Sequence, residues 1–115
     1  MLLASNSFAH DQSPVYEKHY TGKVFSKSYT VTNYPNVSAK YAWTVKNKNG
    51  TPASDWRVNK EVVKTGPGQS VTVRFDFKVK KERKLLVCST LVEINNEIPD
   101  IASSVCSRLW LKRAR

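Results

Sequence analysis

Apolar and polar residues alternate strictly along two stretches of the chain. In residues 71–79 every second residue is Val or Phe, and Thr, Arg, Asp and Lys separate them. Residues 37–46 repeat the pattern, with Tyr41 and Trp43 among the apolar positions. Because successive side chains of a strand leave opposite faces, a period of two predicts strands with one buried face. The alternation therefore favours an all-β fold.

Turn-forming residues divide the rest of the chain into short segments of similar length. Asn, Gly and Pro cluster at 33–36, 47–50 and 65–69, where they favour tight turns. No stretch of useful length has a helical period. The predicted strands number about seven and cover residues 14–20, 23–32, 37–46, 56–64, 71–79, 85–94 and 103–112. This spacing predicts an immunoglobulin-like antiparallel β-sandwich.

The chain has the length and composition of one domain. With 115 residues, of which 40% are hydrophobic, it can bury a core of its own. Residues 7–9, Ser-Phe-Ala, match the small-x-small pattern of a signal-peptide cleavage site. We therefore expect residues 1–13 to be a residual signal peptide or a disordered N-terminus. Residues 14–115 would form the single sandwich domain.

The two cysteines have a spacing that suits a disulfide. Cys88 and Cys106 are 18 residues apart, on the last two predicted strands. A hairpin of these strands centred near Glu97 places the two cysteines directly opposite each other, with Cα atoms about 4.5–5.5 Å apart. A disulfide indicates an oxidising compartment, secreted or periplasmic. Two free buried thiols in a cytosolic protein are the alternative.

Two features resemble known sandwich families. The Pro-Gly turn and alternating strand of residues 65–75 look like the entry to the fifth strand of fibronectin-III-like and related bacterial domains. Trp43, on the third strand, resembles the buried tryptophan of immunoglobulin domains. The cysteines depart from the immunoglobulin pattern, because they lie on the last two strands rather than on strands two and six. The resemblance implies architecture, which does not fix function.

The chain is strongly basic, with a formal charge of +10 and a pI near 9.8. Such a charge favours polyanions as partners, namely glycans, anionic lipids or nucleic acids. Two basic clusters are candidate polyanion-binding residues: Lys78, Lys80, Lys81, Arg83 and Lys84 in the first, and Arg108, Lys112 and Arg113 in the second. The alternative is that lysines on exposed strands only prevent edge-to-edge aggregation.

The sequence displays no catalytic, metal-binding or cofactor-binding motif. It has no Gly-x-Ser-x-Gly elbow, and its two histidines and two cysteines lack the spacing of zinc ligands. The turn at Gly66, Pro67 and Gly68 lacks the amide donors of a phosphate loop, since proline has no N–H. We therefore expect a non-enzymatic protein without a cofactor.

These observations together favour a secreted or periplasmic binding module, such as a virulence or adhesion factor. Its basic face and loops would engage a polyanion or a host or envelope protein. One alternative is a small immunoglobulin-like protease inhibitor that acts through loops 47–55, 65–69 and 95–102. Another is an accessory subunit of a secretion or pilus assembly, binding through an exposed strand edge.

Overall fold

The structure is a computed structural model that describes residues 10–100 and 102–114. Its described residues form nine strands and no helix: β1 (Asp11–Ser13), β2 (Tyr16–Thr21), β3 (Val24–Thr32), β4 (Ala39–Asn47), β5 (Trp56–Val58), β6 (Val62–Thr65), β7 (Ser70–Lys78), β8 (Arg83–Ile94) and β9 (Ser104–Arg113). The prediction of an all-β immunoglobulin-like sandwich is confirmed.

The strands form two sheets. The four-stranded sheet has the order β1-β3-β7-β5, and the five-stranded sheet has the order β2-β9-β8-β4-β6. Neighbouring strands are antiparallel with one exception, since β2 runs parallel to β9. The chain thus moves from one sheet to the other between β1 and β2, at Pro14.

The inward positions of the alternating strands make the core between the sheets. Phe75 of β7 is fully buried at its centre. Its ring meets those of Tyr29 and Trp43 edge to face, with centroids 5.6 and 5.5 Å apart. Edge-to-face pairs at this distance add to the stabilisation that burial provides. Further large core side chains come from both sheets, among them Val31, Tyr41, Val45, Val73, Phe77, Leu85, Val87, Leu109 and Leu111.

The β8–β9 hairpin has the register that the sequence predicts. Cys88 pairs directly with Cys106 across the ladder. The two residues form a disulfide, and their Cα atoms lie 4.0 Å apart. Both side chains are on the outer face of the five-stranded sheet, where Cys88 is buried and Cys106 is exposed. The predicted disulfide is confirmed.

The single strand expected at 56–64 is wrong, because the chain changes sheets within it. β5 pairs with β7 in the four-stranded sheet, whereas β6 pairs with β4 in the five-stranded sheet. Backbone hydrogen bonds hold the segment between them: Asn59 N–H donates to Arg74 O over 3.0 Å, and Glu61 O accepts from Trp43 N–H over 2.8 Å. Residues 59–61 are polar and exposed. They allow the crossing because they have no apolar side chain that must be buried in the core.

The N-terminal segment that we expected to be a leader or disordered is part of the sandwich from His10 onward. β1 pairs with β3, and the side chains of His10 and Gln12 are buried. Gln12 Nε2 donates to Val87 O and Ser107 Oγ, and Gln12 Oε1 accepts from Ser89 N–H. These bonds tie the edge of one sheet to the centre of the other. Residues 1–9 of the expected leader lie outside the described residues.

Candidate binding surfaces

The outer face of the five-stranded sheet carries a block of cations and aromatic rings. In the parallel pair, Tyr16, Lys18 and Tyr20 of β2 lie beside Arg108, Trp110 and Lys112 of β9, respectively. On the other side of β9, Lys84 of β8 pairs with Trp110. The period of two brings these side chains to one face, because alternate residues of neighbouring strands share it. We call these seven residues the outer basic face.

Each ring of the outer basic face has a cation over it. The ammonium groups of Lys18 and Lys84 lie 4.0 and 4.4 Å from the centre of the Trp110 ring, and they come from the two strands that flank it. The Arg108 guanidinium is 5.5 Å from the Tyr16 ring. Lys112 is 6.0 Å from the Tyr20 ring. The negative face of an aromatic ring attracts a cation at such distances, so the rings order the charged groups.

The cations of this face have no carboxylate partner among the described residues. The ion pairs of that part of the chain join other groups, such as Lys27 to Glu17 and Lys40 to Glu93. Glu82, the acidic residue beside the face, accepts a hydrogen bond from Trp110 Nε1. Within the described part of the chain, no ion pair therefore compensates the positive charge of the face.

A shallow depression of about 270 Å³ lies at one end of the outer basic face. Tyr16 and Trp110 line it, and Leu86 supplies apolar surface. Its cations are Lys48, Lys84 and Arg108. An apolar surface with polar groups at its margin is typical of ligand-binding depressions.

The structure separates the eight residues that the sequence suggested for polyanion binding. Lys84, Arg108 and Lys112 lie together on the outer basic face. Lys78, Lys80 and Lys81 are exposed at the turn between β7 and β8, beside Asp55 and Glu82. These three lysines thus share their surroundings with two carboxylates.

Arg83 and Arg113, the other two of these eight residues, hydrogen-bond to backbone carbonyls. The Arg83 guanidinium donates to the carbonyls of Ser54, Asp55 and Lys78 over 2.6, 3.3 and 3.0 Å. Partial burial lowers the pKa of this guanidinium, and the nearby charge of Asp55 opposes that shift. Arg113 donates to Val79 O over 3.2 Å. Arg83 therefore joins the start of β8 to the loop before β5 and to the end of β7. Arg113 joins the end of β9 to the residue that follows β7.

The contribution of β2 to this face was not expected from the sequence. Its alternation of Tyr16, Lys18 and Tyr20 is visible in the sequence and predicts that the three share a face. The pattern does not say which strand lies next to them, and the parallel pairing with β9 joins residues about 90 positions apart. Glu17 and His19, on the opposite side of the strand, hydrogen-bond to each other. A salt bridge to Lys27 and the bond to His19 lower the Glu17 pKa.

A second candidate surface is the free edge of β9. β2 pairs with β9 only from Arg108 onward, so residues 104–107 have β8 on one side and no paired strand on the other within the described residues. This segment reads Ser-Val-Cys-Ser and carries no charge. The strands at the ends of the two sheets each contain a charged residue: Asp11 in β1, Lys18 in β2, Arg57 in β5 and Lys64 in β6. Charges on edge strands discourage pairing with other chains, and residues 104–107 lack that protection.

The connection that leads into this edge presents a large apolar side chain to solvent. Ile98, between β8 and β9, is 87% exposed. Beside it, Asn95 and Asn96 have positive φ values of 48° and 65°, which turn the chain tightly. Ile98 is thus an exposed apolar residue in the connection that precedes the uncharged segment of β9.

The described residues show neither a metal cluster nor a helix suited to crossing a membrane. No group of three or more His, Cys, Asp and Glu side chains in residues 10–100 and 102–114 has the geometry to hold a metal ion. In the same part of the chain, no helix combines the length and apolar character of a membrane span.

Comparisons with known proteins identify the fold but no family. No protein-family model matches the sequence, and no curated protein matches it significantly. Among solved structures, the periplasmic chaperone SfaE superposes with a TM-score of 0.72 at 13% identity, covering 93% of this chain and 59% of that one. A structure of the Salmonella enterica SafA pilin in complex with the SafB chaperone gives a TM-score of 0.72 at 16% identity, covering 91% of this chain and 54% of that one.

The same sandwich also occurs in a human protein. The PapD-like domain of human CEP192 superposes with a TM-score of 0.63 at 11% identity, and the match covers 95% of this chain and 87% of that one. The present chain thus spans little more than half of the bacterial chains and most of the human domain. The likeness to these chaperones and to the human PapD-like domain defines the fold alone, because one fold serves many functions.

Proposed function

We propose that the domain is a non-enzymatic binding module of the secreted or periplasmic space that holds an extended segment of a partner protein. The partner segment would add as a strand to residues 104–107 of β9. The observation that carries the proposal is that this segment is uncharged and that no described strand pairs with its outer edge. Strand addition is a common way to bind a peptide, because the backbone supplies the hydrogen bonds and alternate side chains supply specificity.

Two further observations support this assignment. The disulfide between Cys88 and Cys106 suits an oxidising compartment. Several chains of similar fold are chaperones described as periplasmic or solved with pilus subunits. A role in the assembly of a pilus or a related secreted structure is the form of the function that we favour. This role corresponds to one alternative that the sequence suggested, namely an accessory subunit of a secretion or pilus assembly.

The test uses peptides that can form one more strand. Immobilised peptides that alternate Val or Phe with Ser or Thr are compared with peptides of the same composition in scrambled order. Binding is measured by surface plasmon resonance, and the contact is located by hydrogen–deuterium exchange. We expect the alternating peptides to bind and to slow exchange at residues 104–107 and near Ile98.

Two matched variants separate edge binding from a general effect of charge. Ser104→Asp places a charge at the proposed edge, whereas Thr44→Asp places the same charge at an exposed position of β4, which pairs with β8 on the other side of the same sheet. Ser104→Asp should weaken binding about tenfold or more, and Thr44→Asp should leave it within about twofold. Equal losses in the two variants, or protection from exchange at another strand, would refute the proposal.

A further inference from the structure

The cations of the outer basic face are held in place without ligand. Lys18 and Lys84 lie against the same indole, and Arg108 and Lys112 lie over tyrosine rings. A free lysine or arginine loses considerable side-chain entropy when it is fixed by a ligand. Since the rings already restrict these groups, less entropy remains to be lost when an anion binds.

The spacing of the charges suits a ligand with repeated anionic groups. Along β9, Arg108 and Lys112 lie on either side of Trp110, and alternate residues of a strand are roughly 7 Å apart. Lys18 and Lys84 extend the positive charge to both flanking strands. A single small anion would contact only part of this surface, whereas an anionic polymer can contact all of it.

The exposed tyrosine rings indicate what kind of polymer fits. Tyr16 is 49% exposed and Tyr20 is 66% exposed, so both leave apolar ring surface beside the cations. A sugar ring presents C–H groups on its faces and sulfate or carboxylate groups at its rim. One sugar residue can therefore cover a tyrosine ring and meet the neighbouring lysine or arginine.

Nucleic acid fits the same surface less well. Proteins bind single strands by stacking bases on open aromatic faces. Here Trp110 has a lysine from each flanking strand over its ring, and both tyrosines carry a cation as well. The indole therefore supports charged groups and leaves little open face on which a base could stack.

We infer that the outer basic face is a binding site for an anionic polysaccharide, with Lys18, Lys84, Arg108 and Lys112 contacting sulfate or carboxylate groups. Tyr16 and Tyr20 contact the sugar rings. The depression beside Tyr16 and Trp110, of about 270 Å³, takes one end of the ligand. The site is independent of the β9 edge, so neither assignment requires the other.

The test measures binding of defined probes by isothermal titration calorimetry at about 0.15 M salt. The probes are a heparin-derived oligosaccharide, a polygalacturonate oligosaccharide, a neutral maltooligosaccharide of equal length and a single-stranded oligonucleotide of equal charge. We expect one or both anionic oligosaccharides to bind, the neutral one not to bind, and the oligonucleotide to bind at least about tenfold more weakly than the better anionic oligosaccharide.

Charge-matched double variants locate the site. Lys18→Gln with Arg108→Gln removes two charges from the outer basic face, and Lys80→Gln with Lys81→Gln removes two from the β7–β8 turn. All four side chains are exposed, so both variants should fold, as their thermal unfolding will verify. We expect the first variant to lose about tenfold or more in affinity and the second about twofold or less.

A third variant tests whether the aromatic support matters. Trp110→Leu leaves the net charge unchanged but removes the ring that holds Lys18 and Lys84, and it frees Glu82 from its bond to the indole. Affinity should fall several-fold. Equal losses in the two double variants, an unchanged affinity in Trp110→Leu, or tighter binding of the oligonucleotide would overturn the inference.

Discussion

The imidazole of His10 lies against the ring of Tyr41, with ring centres 4.4 Å apart. His10 Nε2 is 2.9 Å from Ser89 Oγ and 3.1 Å from Ser89 O. The contact joins the segment before β1 to two central strands of the other sheet. His10 is buried, and within the described residues its Nδ1 has no hydrogen-bond partner.

This burial makes the stability of the domain depend on pH. Desolvation lowers the His10 pKa below its ordinary value of 6.5, although the bond to Ser89 and the charge of Asp11 oppose the shift. Below pH 6.5 the unfolded chain therefore binds a proton that the folded protein does not. The free energy of unfolding should be steady above that pH and fall as the pH drops from 6.5 toward the lowered pKa, by up to about 1.4 kcal/mol per pH unit.

Chemical unfolding at pH about 7.5 and about 5 measures this effect in the wild type and in His10→Gln. The glutamine variant should lose most of the difference between the two pH values. The pKa values of Glu17 and Asp76 are lowered from 4.5 and 3.8, so their contributions disappear only at more acidic pH. An unchanged difference in His10→Gln would show that another group is responsible.

The disulfide should contribute substantially to stability. Cys88 and Cys106 close a loop with a sequence separation of 18, for which the chain-entropy treatment gives roughly 3 kcal/mol. Replacing both by Ala should lower the free energy of unfolding by about that amount in guanidinium titrations. A reducing agent should destabilise the wild type similarly and leave the double variant unaffected. An unchanged free energy of unfolding of the wild type after complete reduction would contradict this expectation.

We expect Arg83 to contribute to the stability of the domain rather than to ligand binding. Arg83→Lys keeps the charge but cannot contact the carbonyls of Ser54, Asp55 and Lys78 together, because an ammonium lacks the planar fork of donors. We expect a loss of about 1–3 kcal/mol in stability. Lys81→Arg, a conservative change at an exposed position of the same turn, should stay within about 0.5 kcal/mol. Equal stability of the two variants would exclude this structural role.

Phe75 should be among the most sensitive core positions. Phe75→Ala removes a fully buried ring that contacts Tyr29, Trp43, Trp56 and Phe77, and should cost about 3–5 kcal/mol. Lys78→Ala, at an exposed position of the same strand, should change stability by about 0.5 kcal/mol or less. Thermal and denaturant unfolding of the two variants provides the comparison.

Local patterns predicted the sandwich and one of its registers. The alternation around Phe75 and Trp43 placed the buried faces correctly, because the period of a strand is fixed by its geometry. The hairpin centred near Glu97 placed Cys88 opposite Cys106, because paired positions of an antiparallel hairpin lie at equal distances from its centre. These features depend on residues close together in the sequence.

Features that depend on distant contacts could not be predicted in the same way. His10 and Gln12 fall in the segment that we expected to be a residual signal peptide or disordered, yet they are buried against Ser89 and Ser107 far along the chain. The grouping of Lys18 with Trp110 requires the parallel pairing of β2 and β9. The crossing at residues 59–61 likewise depends on which sheet offers a free edge to β6.

The parallel pairing of β2 with β9 also determines how the domain can be attached to a surface. β9 begins at Ser104 and ends at Arg113 beside Thr21, and the length of this ten-residue strand, roughly 30 Å, separates its two ends. A linker joined after residue 113 therefore emerges at the end of the sandwich remote from the unpaired segment of β9. A tether added before His10 starts close to Ser89, near that segment. Immobilisation through the C-terminal side thus leaves the unpaired segment of β9 open to a soluble ligand, whereas the anchor lies beside Lys112 and Tyr20 of the outer basic face.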